Sequence, residues 1–259
     1  MTMSFIPSKI KMVLFEETHL TIGKVLQAAP NPKAKIPALA VDITFGASLD
    51  AEHALLYNKK AYFSSAQICI HHTAEELVDK QIMCAVNFPR KQIGNKMSDC
   101  LITGAQKADG SHDEKRLTTV YMRPSWMVDS GSRVGILGQD QMLERNERKL
   151  VWENFLRLDL RIVTVQDILS SHRFSKELHR IVFKINAGLL GTMNCVALLH
   201  TENLLDSMIG KQLMVLANLC PDDLKQHFDS EDEGAVLCTI GGKAFIEPAK
   251  NVENGFKVA

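Results

Sequence analysis

Two stretches far apart in this chain carry one pattern. Residues 79–88 (DKQIMCAVNF) lie under residues 210–219 (GKQLMVLANL) with apolar and polar positions in register. Upstream, LTIGKV at 20–25 answers LRIVTV at 160–165. Downstream, Pro124, Val128, Gly131 and Val134 recur as Pro248, Val252, Gly255 and Val258 at a single offset. This period lies far above that of a solenoid, so the pattern predicts two tandem copies of one small domain, over residues 1–138 and 139–259. Each copy then serves as a control for the other.

A chain of 259 residues with 46% hydrophobic content can bury two small cores. No apolar run approaches the ~18 residues that span a bilayer, and residues 1–15 lack a signal-peptide core, so a soluble cytoplasmic protein without membrane contact is expected. Cys69, Cys84, Cys100, Cys195, Cys220 and Cys238 form no CxxC pair and read as small buried hydrophobes in a reducing compartment. His71 and His72 stand beside Cys69, but adjacent residues point to opposite faces, which argues against a metal site. Gly241-Gly242-Lys243 lacks the flanks of a phosphate loop. With no serine elbow, HExxH motif or paired carboxylates, neither an enzyme nor a cofactor is expected. Net charge is zero but unevenly shared: residues 1–138 hold 16 Lys/Arg against 13 Asp/Glu, and residues 139–259 hold 14 against 17. The imbalance is too small to indicate nucleic acid by itself, so local placement has to decide.

Strand signals dominate. Leu39, Val41, Ile43 and Phe45 alternate with Ala40, Asp42 and Thr44, the period of a strand with one buried face, and Gly46 ends it. Residues 62–70, 82–87 and 100–105 continue the series before a polar loop at 107–116. Thr73-Ala74-Glu75-Glu76 has the form of a capping box, predicting one short helix that ends near Asp79. Strands at 180–185, 194–199 and 213–218 and a helix at 205–209 repeat this order in the second copy. The charged stretch 139–154, without Pro or Gly, reads as a helical connector. The expected fold is therefore all-β: two tandem OB-fold barrels, whose strands and adjoining loops bind oligonucleotides, joined by a helix.

The first copy resembles the CsaA type of tRNA-binding domain through NPKAKIPAL (31–39), DITFG (42–46), SSAQI (64–68), AEELVDKQ (74–81), AVNFPRKQIG (85–94), SDCLITGA (98–105) and DSGSRVG (129–135). The second is similar, less closely, to the domain at the C-terminus of some methionyl-tRNA synthetases and in endothelial monocyte-activating polypeptide, through LDLRI (158–162), IGKQLMVLANL (209–219) and ENGFKV (253–258). The resemblance implies an OB-fold that binds tRNA with little sequence preference, works as a dimer or pseudo-dimer and sometimes assists an aminoacyl-tRNA synthetase. For the bacterial members it also implies a chaperone role.

The residues of the first copy agree. Lys33 and Lys35 fall between the first two strands and Arg90 and Lys91 after the fourth, so cations are expected on both sides of one barrel mouth, where phosphates would meet them. Ser64, Ser65, Gln67, Asn87 and Ser98 complete the candidate set as hydrogen-bonding groups, while Phe63 or Phe88 could offer a stacking surface for an unpaired base but read better as core under the barrel. In the second copy Asp222 and Asp223 replace Arg90 and Lys91 ahead of an acidic run at 229–233, a loop expected to repel phosphate, and only Arg173 and Lys176 remain in the loop of the first two strands. The expectation is a tRNA-binding first copy with a degenerate, structural second copy. The alternative is a scaffold or chaperone that holds polypeptide.

Overall fold

A computed structural model describes residues 8–94, 96–106, 119–141, 150–200, 205–230 and 234–259. In the first half the elements are α1 (Met12–Glu16), β1 (Leu20–Pro30), β2 (Leu39–Thr44), α2 (Ala47–Tyr57), β3 (Tyr62–Ala66), α3 (Ala74–Leu77), β4 (Gln81–Ala85), β5 (Lys91–Ile93), β6 (Lys96–Ser98), β7 (Leu101–Ile102), β8 (Gly104–Gln106) and β9 (Val120–Pro124). The second half holds α4 (Trp152–Arg157), β10 (Leu160–Arg173), β11 (His179–Asn186), β12 (Thr192–Leu199), β13 (Gln212–Leu216), α5 (Pro221–Phe228), β14 (Ala235–Leu237), β15 (Thr239–Ile240), β16 (Ala244–Pro248) and β17 (Lys257–Val258), with 3-10 turns at Gly188–Leu190 and Asp206–Met208. Among the described residues, no helix is long and apolar enough to cross a membrane.

The local rules hold where the signal is strong. β2 buries every second residue, and α3 begins with the full capping box, Thr73 Oγ1 accepting from Glu76 N–H at 3.2 Å while Glu76 accepts from Thr73 N–H at 3.0 Å. Three expectations change. The strand expected over 62–70 stops at Ala66, and that expected over 100–105 splits into β7 and β8. More than one short helix is present, because α2 fills the connection after Gly46 and α5 fills the second half's acidic segment. α2 has no Gly or Pro to break it before Asn58, which caps it in the left-handed region at φ 52°. Of the connector expected to be helical, residues 142–149 lie outside the described residues, and α4 begins only at Trp152.

The fold is mostly β and barrel-like. In the first half the strand order is β3-β2-β1-β4-β7, all antiparallel. The gap between β3 and β7 is bridged by Asp99 N–H donating to Phe63 O at 2.7 Å and Ser64 Oγ donating to Cys100 O at 3.0 Å. In the second half β10 pairs with β11, β11 with β12, β12 with β14 in parallel, β14 with β13 and β13 back with β10, a closed ring with the OB-fold order. Leu20 pairs with Ala85 as Leu160 pairs with Leu216, and the bulge after Val25 in β1 recurs after Val165 in β10. Such a bulge sharpens the bend that lets one strand serve both sides of a barrel.

The halves share backbone and core. β17 bonds to β10 on one edge and to β8 on the other, and β9 pairs with β16. One apolar cluster takes Phe15, Leu20 and Met83 from the first half together with Phe155, Leu160 and Met214 from the second. Arms cross between halves: Ile10 N–H donates to Asn218 O at 2.9 Å, and Leu150 N–H donates to Asn87 O at 2.9 Å. Asn218 is fully buried; its Oδ1 accepts from Asp159 N–H and its Nδ2 donates to Ser8 O and Arg157 O, all within 3.0 Å. Asn218→Ala is expected to cost about 3 kcal/mol, because three backbone groups lose buried partners. A urea melt of wild type and variant measures it, and equal midpoints would mean that the arms are held otherwise.

Candidate nucleic-acid interface

The loop between β1 and β2 is shaped by Pro30, Pro32 and Pro37 and tied back by Asn31, whose N–H donates to Ala38 O at 2.8 Å and whose Nδ2 donates to Ser65 Oγ at 3.0 Å. Held in this way, it presents Lys33 and Lys35 to solvent. Facing it is the hairpin of β5 and β6, which turns at Gly94 with φ 64°. A Cβ at Gly94 would sit 2.7 Å from Lys33 O, so the turn needs glycine both for its backbone and for the closeness of the two loops. That contact brings the exposed Lys91 and Lys96 of the hairpin beside Lys33 and Lys35 at one end of the first barrel.

Beneath the hairpin lies a buried carboxylate. The Asp99 side chain is 1% exposed and receives Lys59 Nζ at 2.8 Å, Arg90 Nε at 2.6 Å and Phe63 N–H at 3.0 Å, with His53 Nε2 at 3.6 Å. Burial alone would push this carboxyl up; the nearby His53 ring together with the donors Lys59 and Phe63 N–H outweighs it and holds Asp99 well below the usual carboxylate range. The Arg90 guanidinium also lies 4.1 Å from the centre of the Tyr57 ring, at the end of α2. Lys96 Nζ sits 4.8 Å over the Phe63 ring. His53 stacks on Tyr62 at 3.9 Å, packing α2 against β3.

The structure sorts the expected residues. Lys33, Lys35 and Lys91 are exposed around the mouth, while Ser65 and Gln67 are half-buried beside it. Arg90 comes to the mouth as expected, but with its charge committed to Asp99. Three other candidates face inward. Ser64 is 1% exposed and, like Ser98, donates to Cys100 O. Asn87 accepts from His19 N–H at 3.1 Å and donates to Glu17 O at 2.8 Å, the counterpart of the Asn218 latch, so its carboxamide holds the N-terminal arm instead of facing a ligand. Phe63 is buried, and Phe88 packs on Trp152 and Phe155 with ring centres 5.5 and 5.4 Å away. Beyond the expected set, Tyr57 lies against the Arg90 guanidinium, Lys59 pairs with Asp99 and Lys96 sits over the Phe63 ring. The adjacent lysines 59 and 60 are a visible signal in the sequence, but only the end of α2, the turn after it and the hairpin bring Tyr57, Lys59 and Lys96 together.

The second half differs in kind. Its acidic segment is expected as a loop that repels phosphate, but residues 221–228 form α5, with Pro221 in the first turn and Asp222 and Asp223 at its positive end. Asp223 accepts from Met12 N–H at 2.6 Å and Asp222 pairs with Lys11 at 2.9 Å, so these acids anchor α1. Residues 231–233 of the acidic run lie outside the described residues. Arg173 turns back onto Ser175 O and Lys176 O, bracing its own loop.

No protein-family model matches the chain. The methionine–tRNA ligase of Flavobacterium johnsoniae is 28% identical over 125 residues, 47% of this chain and 17% of that enzyme, so the chain spans less than a fifth of its relative's length. Among solved structures, the chaperone CsaA of Bacillus anthracis is similar to 49% of this chain over 98% of its own, at 27% identity and a TM-score of 0.39. CsaA from Picrophilus torridus is similar to 47% of this chain over 95% of its own, at 26% identity and a TM-score of 0.36.

Asp99 sets a pH test. Because its folded pKa is depressed, the charged form contributes stability at neutral pH, and that contribution is lost as pH falls below the ordinary value of about 4. Asp99→Asn should cost roughly 2 kcal/mol at neutral pH, a figure reduced for the partly exposed Lys59 and Arg90. It should also flatten the fall in stability below about pH 4. Denaturant melts of both proteins across this range give the two results.

Proposed function

We propose that this chain is a non-catalytic, cytoplasmic tRNA-binding protein that serves an aminoacyl-tRNA synthetase. It is built of two domains, residues 1–138 and 139–259, that pair as a pseudo-dimer. The observation that carries this reading is the contact of Gly94 with Lys33, which gathers Lys33, Lys35, Lys91 and Lys96 at one barrel end. Exposed cations on two facing loops, close to aromatic rings, suit the backbone of an RNA with unpaired segments. The likeness to a segment of a methionine–tRNA ligase supports tRNA as the class of RNA. The shared core and the mutual arms support pairing within one chain, and six free thiols fit a reducing compartment. The second domain serves as the structural partner, its acids engaged with Lys11 and Met12.

A second reading has one observation of its own: α2 leaves Leu55 88% and Leu56 53% exposed, an apolar strip suited to holding polypeptide. Ionic strength separates the two, because phosphate binding weakens steeply with salt and apolar capture does not. Changing Lys33, Lys35 and Lys91 together to Ala is expected to weaken binding across tRNA species and to flatten the log–log salt slope by about two units, at ~0.7–0.9 per lost contact. Filter-binding titrations over a salt series provide the slope. A triple variant with wild-type affinity and slope would place the RNA elsewhere.

A further inference from the structure

Arg90 is poorly arranged for a phosphate and well arranged for something flat. Its Nε is bound at 2.6 Å to an Asp99 that is itself buried, so the charge is largely offset and one edge of the fork is occupied. Its guanidinium lies 4.1 Å from the centre of the Tyr57 ring, and 26% of the side chain remains exposed. Lys59 already supplies Asp99 with a cation at 2.8 Å, so neutralising the carboxylate does not require a second, planar one. The Tyr57 ring comes from the end of α2, an element of the first half alone: in the second half the equivalent connection is the short 3-10 turn Gly188–Leu190. Lys91 and Lys96 stand exposed on the same hairpin.

We infer that Arg90 and Tyr57 form a stacking platform for one unpaired nucleobase, with Lys91 and Lys96 meeting the phosphates on either side. This rests on the RNA-binding reading and narrows it: the RNA presents a loop or single strand at the mouth of the first barrel, not a continuous duplex. Arginine planes and aromatic rings stack unpaired bases whatever the base. The platform is set before the ligand arrives, because Asp99 fixes the edge of the guanidinium and Tyr57 lies against the group at 4.1 Å.

The test uses the full chain and two RNA stem-loops, one intact and one whose loop nucleotides are abasic, so that phosphates are kept and bases removed. Base stacking predicts that wild type binds the abasic loop about tenfold more weakly. Arg90→Lys keeps the charge but removes the plane, and the abasic penalty should fall to about twofold or less in this variant. Tyr57→Leu, at an exposed helix end, should shrink the penalty likewise, with thermal melts confirming that it folds; it decides the matter if Arg90→Lys does not fold. Equal affinity of wild type for both loops would overturn the platform while leaving RNA binding intact, and so would a penalty that persists in Tyr57→Leu. Absence of binding to either RNA at low salt would overturn the platform together with the RNA reading.

Discussion

The two-residue strand β17 holds the molecule together. Lys257 pairs with Arg161 on one edge and with Gln106 on the other, and Ala259 exchanges backbone hydrogen bonds with Gly104 at 3.0 and 3.1 Å. A strand so short has little stability alone; it persists because both edges are bonded and Val258 lies in the common core. Through it the ring of the second half continues into the first, and the apolar faces of Leu20 and Leu160 have somewhere to go. Asn87 and Asn218 complete the arrangement by satisfying the polar backbone where each arm turns, so that burial of that backbone is not penalised.

Charge in this protein is organised from within. A single buried carboxylate, Asp99, gathers Lys59, Arg90 and the Phe63 N–H, and thereby fixes α2, the hairpin and β3 with respect to one another. Two of the mouth's cations are immobilised in this way, and Lys33, Lys35, Lys91 and Lys96 are left facing solvent. Solvent-facing lysines thus surround an arginine that is held on a buried carboxylate.

The two halves fill the same position of one barrel differently. Where the first half has a hairpin carrying Lys91 and Lys96, the second has α5, whose first turn accepts Met12 N–H and Lys11. Leu224 and Phe228 then join the shared core. Acidic residues at a helix N-terminus favour the dipole and capture the neighbouring arm, so a segment that reads as phosphate-repelling is used to bind its own chain.

The repeat, the alternation of Leu39, Val41 and Ile43, the Thr73 capping box and the lysines at 33, 35 and 91 could all be read from the sequence, because each depends on near neighbours or on a copy of itself. α5 was also legible, in Pro221, two acids in the first turn and Lys225 and His227 in the last, but it was masked by its net charge. α2 was not, since Ala47, Leu49, Ala51, Ala54, Leu55 and Leu56 are spread around the helix and the last two remain exposed. The inward turn of Asn87 depends on Glu17 and His19, 70 and 68 positions away, and the Arg90 guanidinium lies against a ring 33 residues earlier in the chain. By itself, then, the sequence determined the strands, their repetition and the loops that bear charge. Only the tertiary structure decided which polar groups face solvent and which are consumed inside, because a hydrogen-bonding side chain takes whichever partner folding brings within reach, and these partners are remote in sequence.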